Sequence, residues 1–327
     1  MQIYDRYSIP ASVGRGILDP ELKDWLPTGP VLGADEPIAT QRASHAKLGH
    51  KPWPDIGTVE HLVLEGPRGS LGVRVHTPSR PSQGLLRWGA RPRGALVYLH
   101  GGGWTVGTLD EFEVPMRLLA ERAGIVTYVV DYTLSPEVKW PSALDEGEFV
   151  VRWLIDHAAE RGVDPDKVAL GGDSAGGNMT CVIAQRLRDR GGPKLALQMP
   201  LFPETALPFE TLAASENRTG LYLETAGILL FARNLLPNNA DMRQPYITPM
   251  NAESLAGLPP TILVTNGFDP LRDVGHAYAQ KLAQAQNDIT YVHHPDLTHG
   301  FPQFTRWSRA CHVATMQLGD LLRQRIG

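Results

Sequence analysis

Val168-Ala169-Leu170-Gly171-Gly172-Asp173-Ser174-Ala175-Gly176-Gly177-Asn178 is the most informative stretch of the chain. A short apolar run ends in paired glycines, a serine follows inside G-x-S-x-G, and a helical pattern continues over residues 178–188. Strand, sharp turn and helix in this order are the context of a nucleophile elbow. The turn is so tight that its serine takes strained dihedrals, which requires small neighbours. The hydroxyl of Ser174 is then presented at the carboxyl end of a strand, beside the positive end of the next helix.

On either side of it, residues 95–99, 125–130, 195–199, 261–265 and 289–292 are further continuous apolar runs. Such runs suit strands buried on both faces of a parallel sheet. Helical spacing fills the gaps, as in Phe112, Met116, Leu119 and Ala123, and again over 271–285 and 310–322. Strand–helix alternation implies a doubly wound α/β fold with right-handed crossovers. Residues 59–64 and 71–75 alternate apolar and polar, as expected of an antiparallel hairpin at one sheet edge. The Pro- and Gly-rich stretch 78–94 is expected as a solvent-exposed connection. Residues 1–50 and 203–245 break the rhythm, and both are expected as cap segments. The catalytic core is then 51–202 plus 246–327.

The 327 residues carry a formal net charge of −4, with Lys and Arg scattered rather than clustered. That excludes a basic footprint for nucleic acid and a polybasic membrane patch. No apolar stretch is long enough to span a bilayer, and the start, Met1-Gln2-Ile3-Tyr4-Asp5-Arg6, lacks the pattern of a secretory signal. The two cysteines, Cys181 and Cys311, lie far apart, and Cys181 sits in an apolar run. A cytoplasmic protein with free thiols is expected. No HExxH, clustered His/Cys set, P-loop or strand-linked GxGxxG occurs, so neither metal nor nucleotide cofactor is expected.

His100-Gly101-Gly102-Gly103-Trp104 closes the strand at 95–99. Consecutive glycines let backbone N–H groups approach a developing oxyanion, and the N–H of Ala175, next after the nucleophile, supplies a further donor. His100 is expected to hold the loop rather than to move protons. His299, after the last strand and before the C-terminal helix, is the candidate base. His276, His293 and His294 are expected to be surface or packing residues. Three acids compete to orient the base. Asp269 follows the strand at 261–265, Asp273 lies one helical turn later, and Asp296 lies close to His299 but solvated. Asp269 is preferred, and the chain order Ser, Asp, His is the one this fold uses. Asp173 is expected to brace its loop.

HGGGW at 100–104, GDSAGG at 172–177, DPLRD at 269–273 and HGF at 299–301 together resemble the hormone-sensitive-lipase family, the bacterial family IV esterases of the α/β-hydrolase class. Asp131-Tyr132 with Pro136-Glu137 resembles a further stretch of that family. The resemblance implies a mostly parallel eight-stranded sheet with a helical cap, oxyanion donors at Gly102 and Gly103 besides Ala175, and cofactor-free hydrolysis of short- to medium-chain carboxylic esters by Ser174, His299 and Asp269. It also makes a homodimer possible. Thr133, Ser135, Phe202 and Gly267 depart from the family pattern, so substrate preference does not transfer. Trp104, Phe202, Phe209 and Tyr222 are the candidate substrate-binding residues, and the cap's mixed aromatic and polar residues suit a closed, partly apolar pocket. An amidase or a lactonase would use the same triad. A non-catalytic receptor on the same fold would lack the histidine that is present here as His299.

Overall fold

A computed structural model describes residues 1–49, 51–79, 92–207 and 209–327. Most of the expected connection at 78–94 therefore lies outside the described residues.

The central strands form where the apolar runs predicted them: β4 (Arg93–Leu99), β5 (Val126–Asp131), β6 (Val163–Asp173), β7 (Leu197–Leu201), β8 (Thr261–Phe268) and β9 (Ile289–Thr298). These run parallel to one another. Every residue of β7 and β8 is buried, as strands covered on both faces must be. The alternating hairpin is β2 (Thr58–Gly66) and β3 (Gly69–Thr77), antiparallel to each other, with β3 antiparallel to β5.

The sheet has nine strands, in the order β1-β9-β8-β7-β6-β4-β5-β3-β2, rather than the eight expected. The addition is β1 (Gln2–Asp5), antiparallel to β9 with Gln2 opposite His293. It arises in a segment read from the sequence as cap. Four residues give no usable periodicity, but β9 offers an edge of unpaired backbone groups, and Tyr4 stacks on Tyr291 with ring centroids 5.9 Å apart. Tertiary context overrides a weak local signal here.

Helices α3 (Glu113–Ala123) and α9 (Arg309–Ile326) pack together, as do α4 (Ser142–Asp156) and α5 (Ala175–Asp189). α8 (Arg272–Gln284) packs on β8 and β9. The N-terminal segment adds α1 (Pro20–Trp25) and α2 (Ile38–His45); residues 203–245 add α6 (Leu212–Glu216) and α7 (Thr225–Leu235). These two segments are stitched by backbone bonds from Leu32 N to Tyr222 O (2.8 Å) and from Glu224 N to Leu32 O (3.1 Å). α2 is tied to the core by Arg42, whose Nε donates to Thr105 O (2.8 Å) and whose guanidinium meets Glu137.

Candidate active site

Ser174 follows β6 directly and caps α5, with φ 55° and ψ −116°. That left-handed backbone is costly for a residue with a side chain and persists only where packing enforces it. The enforcement is local. A Cβ on Gly176 would lie 1.8 Å from Leu99 O, so no side chain fits where the elbow passes β4.

Asp269 follows β8 and His299 follows β9, so both stand at the same sheet edge as Ser174. His299 Nδ1 lies 2.9 Å from Asp269 Oδ2. The other carboxylate oxygen accepts the Leu271 N–H at 2.8 Å. His299 Nε2 is buried without a hydrogen-bond partner among the described residues, so it does not yet engage Ser174. Long nucleophile–base contacts are common before substrate binds. With Nδ1 donating to a carboxylate, Nε2 is the nitrogen left to accept a proton.

The loop after β4 turns through Gly102 (φ 113°) and Gly103 (φ 58°). Gly102 O accepts from Thr105 N and Val106 N. The N–H groups of Gly102, Gly103 and Ala175 donate to no acceptor among the described residues. Asp173 anchors this loop by accepting from Gly101 N (2.8 Å) and Tyr98 Oη (2.9 Å). Burial pushes the Asp173 carboxyl up to about 6. His100 stacks on Tyr132 at 4.3 Å, its Nδ1 faces Gly101 O, and burial drops it to about 4. It is a neutral structural residue, and Asp173 is a brace.

The other two candidate acids make different contacts. Asp273 accepts from Ala213 N at the start of α6 and from Arg272 Nε, so it serves the cap. Asp296 is half-buried rather than solvated, with one oxygen buried and unpartnered. His293 hydrogen-bonds Thr265 and Gly14 O, and His294 packs on Phe301 at 5.1 Å. His276 is buried too. All three are packing residues rather than surface ones.

Of the candidate substrate-binding residues, Phe202 meets His299 edge-on at 4.8 Å and Tyr222 stacks over it at 6.4 Å. Both have positive φ, 35° and 77°, which signals backbone held by its surroundings. Trp104 lines a small cavity with Trp140, Asn178, Met179, Leu235 and Ile247. Phe209 is half-buried and makes no ring contact with the others among the described residues. Two residues not expected at the site brace the Asp269 turn: Asn217, whose buried amide holds Gly267 O and Asp269 O, and Arg272, which donates to Gly267 O and pairs with Glu216. Asn217 carries no local signal; Arg272 stood inside DPLRD. Phe231 of α7 closes over Gly103, where an added Cβ would lie 2.2 Å from its ring.

Comparison with known proteins agrees with this geometry. Residues 96–303 match a family model described as the alpha/beta hydrolase fold. The chain is 34% identical to the carboxylic ester hydrolase LipN of Mycobacterium tuberculosis, over 96% of this chain and 86% of that protein. It is also 34% identical to the carboxylesterase NlhH of the same organism, over 93% and 95%. An ester hydrolase from the metagenome of Lake Arreo superposes with a TM-score of 0.87 at 30% identity, covering 94% of this chain and 99% of that one. A thermostable esterase from Pseudomonas putida gives 0.86 at 28%, covering 96% and 99%. The chain belongs to the α/β-hydrolase-fold family, in its hormone-sensitive-lipase type.

Proposed function

We propose that this protein is a serine carboxylic ester hydrolase acting on short- to medium-chain esters, with Ser174 as nucleophile, His299 as base and Asp269 as the orienting acid. The observation that carries this reading is the 2.9 Å pairing of His299 Nδ1 with Asp269, which leaves Nε2 free at the strand edge where Ser174 is held in strained backbone.

The steps follow the triad template. His299 Nε2 takes the proton of Ser174 Oγ as that oxygen bonds to the ester carbonyl carbon. The carbonyl oxygen becomes an oxyanion held by the N–H groups of Gly102, Gly103 and Ala175. The tetrahedral adduct collapses, the C–O bond to the alcohol breaks, and the proton passes from His299 to the departing alkoxide. A water, deprotonated by His299, attacks the acyl-enzyme. Its proton returns to Ser174 Oγ as the acid leaves. Asp269 stays ionised throughout and holds the imidazole tautomer.

Trp104, next in sequence to Gly103, lines a small cavity together with Leu235 of α7, which supports a short acyl pocket. Each methylene that fits gains about 0.8 kcal/mol, and one beyond the wall gains nothing. The test is labelling with a fluorophosphonate together with a p-nitrophenyl ester series from acetate to palmitate. One label per chain at Ser174 is expected, Ser174→Ala should lower kcat on the order of 10^6-fold, and rates should peak at a few carbons. A label on another serine overturns the triad. Rates climbing to palmitate overturn the pocket.

A further inference from the structure

Roofing the site is a polar cluster that the ester chemistry does not use. Gln41 and His45 lie one turn apart on α2, each only 1% exposed. The Gln41 side-chain amide donates to Glu36 O at 2.9 Å, which leaves its Oε1 buried with no partner among the described residues. His45 Nδ1 faces Gln41 O at 2.9 Å, so Nδ1 carries the proton and Nε2 is a free acceptor; it too is buried and unpartnered. Burial holds this imidazole below its usual range and therefore neutral. The His45 ring packs on Tyr222 at 5.8 Å, and the same Tyr222 ring stacks over His299 at 6.4 Å. The Tyr222 hydroxyl has no hydrogen-bond partner among the described residues. Glu111, 3% exposed, couples electrostatically to Tyr222; one of its oxygens is taken by Thr108 Oγ1 at 3.1 Å.

Two orphaned acceptors one aromatic ring from the base are expensive to bury. They are neutral, so they do not attract an anion, and the neighbouring Glu111 carboxyl disfavours one above about pH 7, where it is ionised. A hydroxyl meets both needs: it donates to Gln41 Oε1 or His45 Nε2 and accepts from Tyr222 Oη. We propose that Gln41, His45 and Tyr222 form a subsite for a hydroxyl group on the acyl or the alcohol part of the substrate, so that hydroxylated esters are the preferred class. The proposal rests on the esterase reading above and adds a specificity to it. A site built around buried polar groups discriminates against analogues that leave those groups unpaired.

The test compares kcat/KM within each enzyme, which cancels any general loss of activity. On the acyl side, p-nitrophenyl 3-hydroxybutyrate is set against p-nitrophenyl butyrate and p-nitrophenyl monosuccinate. On the alcohol side, 4-hydroxybutyl butyrate is set against butyl butyrate in a pH-stat. The hydroxylated member should win by about tenfold on one of the two sides, the worth of one or two well-placed hydrogen bonds, and the succinate should be the poorest acyl substrate. In Gln41→Leu and His45→Phe the preference should shrink towards unity. Ratios near one on both sides in the wild-type enzyme, a preferred succinate, or a preference that survives in both variants overturns the subsite. Failure to turn over even p-nitrophenyl butyrate would instead bring down the esterase reading itself, so the two failures are told apart.

Discussion

At the floor of the site, each candidate for catalysis stands at the end of a parallel strand, and its hydrogen bonds come from the core: Asp269 from Leu271 N–H and His299, Asp173 from Gly101 N–H and Tyr98. In the roof, Gln41 Oε1 and His45 Nε2 are buried with no hydrogen-bond partner among the described residues. In the floor the supporting carboxylates are satisfied without substrate, and His299 Nε2 and the N–H groups of Gly102, Gly103 and Ala175 stay open to the reacting atoms; in the roof the side chains themselves keep hydrogen-bonding capacity unspent. Completeness suits residues that must hold a single geometry through every turnover, because preorganised groups need no rearrangement as charge develops. Unspent capacity suits residues that recognise something supplied from outside.

The sharpest break of this contrast is at the floor. Asp269→Asn should lower kcat by about 10^4-fold, since an amide can present its NH2 to His299 and stabilise the wrong tautomer. Asp273→Asn should cost far less, because Asp273 caps α6 and pairs with Arg272. Asp296→Asn should cost least. The three variants, measured for kcat with one ester and checked by thermal melting, rank the acids; a dominant loss in Asp296→Asn would overturn the placement of the orienting group.

The same contrast explains what could be read in the chain. The elbow and the glycine loop are legible because backbone sterics dictate them: Ser174 at φ 55° and the Gly176 contact with Leu99 O tolerate only a few residue types at set spacing. The buried strands are legible because a sheet covered on both faces demands continuous apolar runs, as in β8. β1 was not legible, since its reason is the open edge of β9 at the far end of the chain. Nor was Asn217, which reaches Asp269 O from a different segment. The family likeness supplied Gly102 and Gly103 as candidate oxyanion donors but an eight-stranded sheet, and the ninth strand comes from residues 2–5. Gln41 and His45 gave no signal, because nothing local requires a polar residue there.

Floor and roof meet at Gly103, and a pair of substitutions measures that contact. Gly103→Ala places a methyl 2.2 Å from the Phe231 ring and asks alanine to adopt φ 58°. A loss of roughly 10^2- to 10^3-fold in kcat is expected, the size of losing one oxyanion donor. In a Phe231→Ala background the collision is gone and only the backbone strain remains, so the same change should cost less. The coupling from this double-mutant cycle should fall at about 0.5–3 kcal/mol. Strict additivity would mean that α7 does not press on the oxyanion loop.

The smallest effect expected concerns Glu111, and it reads on stability rather than rate. Glu111 lies on the short 3-10 helix Leu109–Phe112, and burial pushes its carboxyl from 4.5 up to about 7, with Asp173 and Asp110 adding repulsion and the Thr108 hydroxyl opposing. An unfolded glutamate loses its proton near pH 4.5, whereas the folded protein keeps it until about pH 7. Across that window the folded state binds more protons than the unfolded one, so stability falls as pH rises. Below pH 4.5 both states are protonated and the penalty vanishes; above pH 7 it is present in full, on the order of 3 kcal/mol. Glu111→Gln stays neutral at every pH and avoids the penalty. Its melting temperature should match the wild type at pH 4.5 and exceed it by several degrees at pH 8. Asp173 is raised in the same direction and repels Glu111, so the difference between the curves reads Glu111 together with its coupling to Asp173. Parallel curves for the two proteins from pH 4.5 to 8 would mean that this carboxyl is solvated when folded, and the roof would then be wetter than its burial indicates.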